Sequence, residues 1–143
     1  MGGFLAKRKL CPGVAEHLSY YTHGSIEKEA KKKARRFRHV SAILFGASTG
    51  TIFVTSNHNL KCKEVIHAVT MRYPSTSSSY KKVQSCLKEI FRYCQEHGYQ
   101  SISIPLLGCG TGKLKEKNVL TLIQDISENY DHIQVFVYSL KEI

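Results

Sequence analysis

The stretch Ser101-Ile102-Ser103-Ile104-Pro105-Leu106-Leu107-Gly108-Cys109-Gly110-Thr111-Gly112 decides the fold. Ile102, Ile104 and Leu106 alternate with Ser101, Ser103 and Pro105, the period-2 pattern of a strand. Glycines at 108, 110 and 112 then permit positive φ and close approach of a ligand to the backbone. Val119, Leu122, Ile123 and Ile126 recur at helical spacing just beyond. A strand, a glycine loop and a helix in this order present backbone N–H groups, and often a helix N-terminus, to an anion such as phosphate. The structural alternative is a tight strand-to-helix connection with no ligand. Neither the P-loop spacing nor the dinucleotide fingerprint is present, because Lys113 follows Gly112.

On the C-terminal side, Gln134 to Ser139 reads as a last strand. On the N-terminal side, Tyr80, Val83, Leu87, Ile90, Phe91 and Cys94 form one helical stripe, which Gly98 ends. Glu64 to Val69 is a short apolar strand, so the second half runs β-α-β-α-β. Val40 to Phe45 and Thr51 to Thr55 read as a hairpin, and Ser25 as the N-cap of a helix reaching about residue 37. The fold class is α/β, a mostly parallel or mixed sheet with helices on its faces. Ligands of such sheets lie outside the carboxyl ends of the strands. The 108–112 loop, Tyr138 and the Gly2-Gly3 start converge there.

The length of 143 residues suits one domain, residues 1–143, and a hydrophobic fraction of 42% suits a packed core. No apolar run is long enough to span a membrane, and no signal peptide is apparent, so a cytoplasmic or nuclear protein is expected. Five widely spaced cysteines without C-x-x-C argue against a metal site and a disulfide framework, and no cofactor is implied. Cys86 and Cys94 are expected to be packing residues. His67, with no visible partner nearby, is expected to be a satisfied, half-buried histidine. The net charge of +10 favours anionic partners. Much of it lies in residues 28–39, where the alternatives are a solvated helix face and a polyanion-binding surface.

These residues resemble a macrodomain, the ADP-ribose-binding fold. Gly2-Gly3 resembles the end of the first glycine-rich binding loop. Val54-Thr55, Leu60, Lys63 and Val65-Ile66-His67-Ala68-Val69 resemble the family's V-T-x-x-x-x-L-x-x-K-x-V-I-H-x-V core. Ser101 to Gly112 resembles the strand and second phosphate loop, and Phe136-Val137-Tyr138 the last strand, whose aromatic residue lies near adenosine. The resemblance implies a three-layer α/β/α mixed sheet that holds ADP-ribose or an ADP-ribosylated protein. Gly108, Cys109, Gly110, Thr111 and Gly112 would cradle the diphosphate, Gly2 and Gly3 would close over it, and Tyr138 would pack near the adenosine. The G-C-G form with Leu114 and Asn118-Val119 is similar to the subgroup that removes ADP-ribose from glutamate. Gly112 stands where that subgroup has an Asp, and Thr70-Met71 near its Lys, so no catalytic residue is assigned. Cys109 would act as a nucleophile only with a lowered pKa. Otherwise it is a small side chain that fits under the phosphates. Two family strands would precede Met1, which implies a shortened sheet whose open edge a homodimer would cover. The alternative function is a basic module that binds RNA or poly(ADP-ribose) without catalysis.

Overall fold

The structure, a computed structural model, describes residues 18, 20–36, 49–70, 78–110 and 112–139. Its elements are α1 (Ser25–Arg36), β1 (Ile52–Ser56), β2 (Glu64–Ala68), α2 (Tyr80–Glu96), β3 (Ser101–Pro105), α3 (Glu116–Ser127) and β4 (Gln134–Tyr138). The expected strand at residues 40–45, and with it the hairpin, lies outside the described residues.

The apolar stripe of α2 organises the core. Ser79 caps the helix: its backbone is extended and its side chain accepts the Lys82 N–H at 3.3 Å. Val83, Cys86, Leu87, Ile90, Phe91 and Cys94 are buried at spacings of three and four. Tyr80, expected in this stripe, is instead at the exposed start of the helix. Gly98, at φ +67°, takes the left-handed conformation that ends it. The stripe packs with Ile104 of β3, Val119, Ile123 and Ile126 of α3, and Ile133. Each such aliphatic or aromatic side chain contributes about 1.5–3 kcal/mol on burial.

β3 and β4 pair in parallel, from Ser101 opposite Gln134 to Pro105 opposite Tyr138. α3 provides the crossover that a parallel pair requires. β1 and β2 pair antiparallel, from Ile52 opposite Ala68 to Ser56 opposite Glu64. The period-2 alternation splits this ribbon between two layers. Ile52, Ile66 and Ala68 pack on the α2 core, while Phe53 packs with Ala30 of α1 and with Val69. α1 and α2 therefore lie on the two faces of the β1–β2 ribbon. Among the described residues β1–β2 and β3–β4 are separate two-stranded sheets, one antiparallel and one parallel. The β3–β4 face that carries Ser101, Ser103, Phe136 and Tyr138 is exposed. The α/β class holds, while the single covered sheet is not seen among these residues.

His67 sits beside Phe53 and its ring stacks on it at 4.7 Å, while its Nε2 lies 3.0 Å from Thr55 Oγ1. It is a satisfied, half-buried side chain. Cys86 and Cys94 are buried in the core, and Cys62, Cys86, Cys94 and Cys109 are all free thiols. Ser25 does not cap α1: its hydroxyl donates to the Thr22 carbonyl at 2.8 Å, and Gly24 accepts the Lys28 N–H. Among the described residues no helix is long and apolar enough to cross a membrane.

Candidate functional site: the loop after β3

The loop leaves β3 at Pro105 and folds back on itself. The Cys109 N–H donates to the Leu106 carbonyl at 3.3 Å, and Gly108 takes φ +77°. A Cβ on Gly108 would lie 2.9 Å from Leu114 Cδ1 and 3.1 Å from Val83 Cγ2. A Cβ on Gly112 would stand 2.4 Å from the Gly108 carbonyl oxygen, a separation that real side chains do not tolerate. Both positions are therefore glycine by geometry. The Leu114 N–H then donates to the Gly108 carbonyl at 3.0 Å, and Lys113, at φ +61°, donates its N–H to Gly110 at 3.2 Å.

Elements on either side hold this turn. Ser78 donates its N–H to the Gly112 carbonyl at 3.1 Å and its hydroxyl to the Thr70 carbonyl at 2.7 Å. The Tyr80 hydroxyl accepts from the Lys115 N–H at 3.2 Å and from Asn118 Nδ2 at 3.1 Å, which ties the start of α2 to the start of α3. Sequence reading missed Ser78, Tyr80 and Asn118 as supports. Tyr80 has a helical spacing that looks like core, and only the fold reveals its polar use.

The backbone hydrogen-bond pattern leaves donors over. Among the described residues, the N–H groups of Gly108, Gly110 and Gly112 donate to no backbone carbonyl. Gly110 is exposed, and a Cβ there would meet nothing within 4 Å. At α3, Lys115 stands at the N-cap without a side-chain cap bond. Unpaired N–H groups on a glycine turn that leads into a helix can bind an anion. Lys113, Lys115 and Lys117 are exposed around it.

Cys109 is partly buried, and its thiol lies 3.8 Å from the Leu107 carbonyl. Burial pushes its pKa up, and the negative Glu116 pushes in the same direction. It is a neutral thiol, not an activated nucleophile.

The structure thus brings Gly108, Cys109, Gly110 and Gly112 into one turn. Tyr138 ends β4 directly opposite Pro105, so it stands at the strand edge from which the loop leaves, with its side chain 61% exposed. Thr111, Gly2 and Gly3 lie outside the described residues.

The family model "Macro domain" matches residues 12–123. Human "ADP-ribose glycohydrolase OARD1" is 28% identical over 109 residues, covering 69% of this chain and 71% of that protein. The Mycobacterium tuberculosis DarG macrodomain superposes with a TM-score of 0.72 at 19% identity, covering 92% of this chain and 82% of that one. Thermosipho africanus DarTG, solved in complex with ADP-ribose, superposes with a TM-score of 0.63 at 18% identity, covering 93% of this chain and 36% of that one. The family match covers most of the described fold and the whole glycine loop, and the chain belongs to the Macro domain family.

Proposed function

We propose that residues 1–143 form one macrodomain that binds ADP-ribose, free or attached to protein, with the diphosphate held by the loop after β3. One observation carries this reading. Among the described residues the N–H groups of the exposed Gly110 and the half-buried Gly108 donate to no backbone carbonyl, and Gly108, at positive φ, and the buried Gly112, against the Gly108 carbonyl, hold the turn that carries them. Tyr138 offers an exposed aromatic face at the same strand edge for the adenosine. Gly2, Gly3 and Thr111 complete the proposed binding set. The free thiols suit a reducing cytoplasmic or nuclear setting.

The relatives include a glycohydrolase, and hydrolysis at an ADP-ribosyl anomeric carbon is the activity to assay. At this site the main-chain N–H groups would stabilise charge on the diphosphate. Cys109, held neutral, would supply no thiolate.

Calorimetric titration with ADP-ribose tests the reading, with AMP as control. Micromolar affinity for ADP-ribose, much tighter than for AMP, is expected. Gly110→Glu places a carboxylate where the diphosphate would sit, in open space and without a backbone clash. It is expected to abolish binding and to leave the thermal midpoint within about 2 °C, since exposed substitutions change stability little. Full ADP-ribose affinity in a folded Gly110→Glu protein refutes the assignment.

A further inference from the structure

An exposed aromatic pair stands at the start of the basic helix. The Tyr20 and Tyr21 side chains are 77% and 70% exposed, and their rings meet edge to face at 5.6 Å. Large aromatic rings left this far in water find no partner in the core, although Tyr20 and Tyr21 belong to a well-tied segment. Thr22 is buried, and its N–H and hydroxyl both reach the Leu18 carbonyl, at 3.0 and 2.8 Å. His23 and Gly24 turn the chain at φ +51° and +77°, and Ser25 donates both its N–H and its hydroxyl to the Thr22 carbonyl. The tyrosines are therefore presented from a hydrogen-bonded turn that leads directly into α1.

α1, which follows directly in the chain, supplies charge. Ile26 and Ala30 face the interior at 0% exposure. Lys28 and Lys32, one helical turn apart, fall on the opposite side and are exposed. Lys31 and Lys33 are paired with Glu27 and Glu29. Lys28 and Lys32 have no carboxylate partner among the described residues, so their charge is available to an outside anion. Exposed planar rings for stacking, followed along the chain by exposed cations for a phosphate backbone, are the two parts of a single-strand nucleic-acid surface.

We propose that Tyr20, Tyr21, Lys28 and Lys32 form a binding surface for single-stranded nucleic acid, separate from the glycine loop. The rings stack on bases, and the lysines track phosphates. Duplexes keep their bases stacked inside and offer the tyrosines nothing.

The test is fluorescence anisotropy with a labelled 12-nucleotide single strand and the full chain. Duplex of the same length, heparin and poly(ADP-ribose) serve as competitors. Single strand is expected to bind at least tenfold tighter than duplex. Tyr20→Ala/Tyr21→Ala is expected to weaken binding tenfold or more, as loss of base stacking does. Tyr20→Phe/Tyr21→Phe, which keeps the rings, is expected to retain it within about threefold. Lys28→Gln/Lys32→Gln is expected to lower the slope of log K against log salt by about 1.4, at about 0.7 for each phosphate contact. Saturating ADP-ribose is expected to leave single-strand affinity unchanged. Three results overturn the proposal: unchanged affinity in the double Ala variant, displacement by charge-matched heparin as effective as by unlabelled single strand, or tighter Tyr-dependent binding of poly(ADP-ribose). Because the ADP-ribose titration is a separate measurement, failure here leaves the loop assignment intact.

Discussion

Gly112 is the most constrained residue of the site. Its missing Cβ is what lets residue 112 lie on the Gly108 carbonyl. Gly112→Ala therefore forces the backbone apart, and a destabilisation of about 1–3 kcal/mol is expected from overpacking of this kind. Calorimetry should show a lowered thermal midpoint together with weakened ADP-ribose binding. A midpoint equal to that of the parent would show that the loop relaxes freely. The loop was legible in the sequence, because glycines at alternate positions directly after an alternating strand mark a tight turn at the strand's end. The glycines could not be told from one another there. Gly110 has open space while Gly108 and Gly112 touch, and identical residues carry no sign of which neighbour lies across the turn.

At the scale of elements, the β1–β2 ribbon and α1 share a polar seam that makes stability depend on pH. Burial holds the His67 imidazole neutral, its pKa lowered to about 4. Burial alone would raise Glu29, but hydrogen bonds from His58, Ser56 and Lys33 outweigh it and hold the carboxyl down to about 2. His58 Nε2 lies 2.5 Å from the carboxylate, and Ser56 Oγ donates to it at 2.9 Å. In both cases the unfolded chain binds protons more readily than the folded one. For His67 the stability is complete above about pH 6.5 and is lost as pH falls towards 4, up to about 3 kcal/mol at 1.36 kcal/mol per pKa unit. The Glu29 contribution falls away in a lower window, from about 4.5 to 2. His67→Gln is expected to flatten the denaturation midpoint between pH 6.5 and 4 and to leave the lower limb in place. An unchanged upper limb would assign that proton uptake to another group. The strands of this region were legible from their apolar runs, and α1 from its composition. The seam was not, because Glu29 and Ser56 are distant in sequence, and only the pairing of α1 with the end of β1 brings them together. Ser25 misled for a related reason: a serine beside acidic residues looks like a cap, but its hydroxyl completes the preceding turn instead.

For the molecule as a whole, the net charge of +10 and the glycine loop act over different ranges. A polyanion releases counterions at every phosphate that it places against lysines, so its affinity falls steeply with salt. On the proposed assignment, ADP-ribose held by main-chain N–H groups would depend mainly on short-range, partly desolvated hydrogen bonds, which salt screens little. Raising salt from 50 to 300 mM is expected to change the ADP-ribose Kd by less than about threefold, while single-strand binding drops far more. Parallel losses in the two titrations would place both ligands on one surface. The α/β class followed from the order of periodic segments, and the family from the motifs they carry. The sharing of one core by the two strand pairs did not follow, since it depends on which face of each strand meets α2.

The contrast between Gly110 and Gly112 also bears on descent. Residue 112 is bound by the fold, whereas residue 110 answers only to whatever occupies the space above the turn. A lineage that gave up the ligand but kept the domain would be free to lose glycine at 110 and would still hold it at 112. The two positions therefore separate loss of ligand from loss of fold in any genealogy to which this chain belongs.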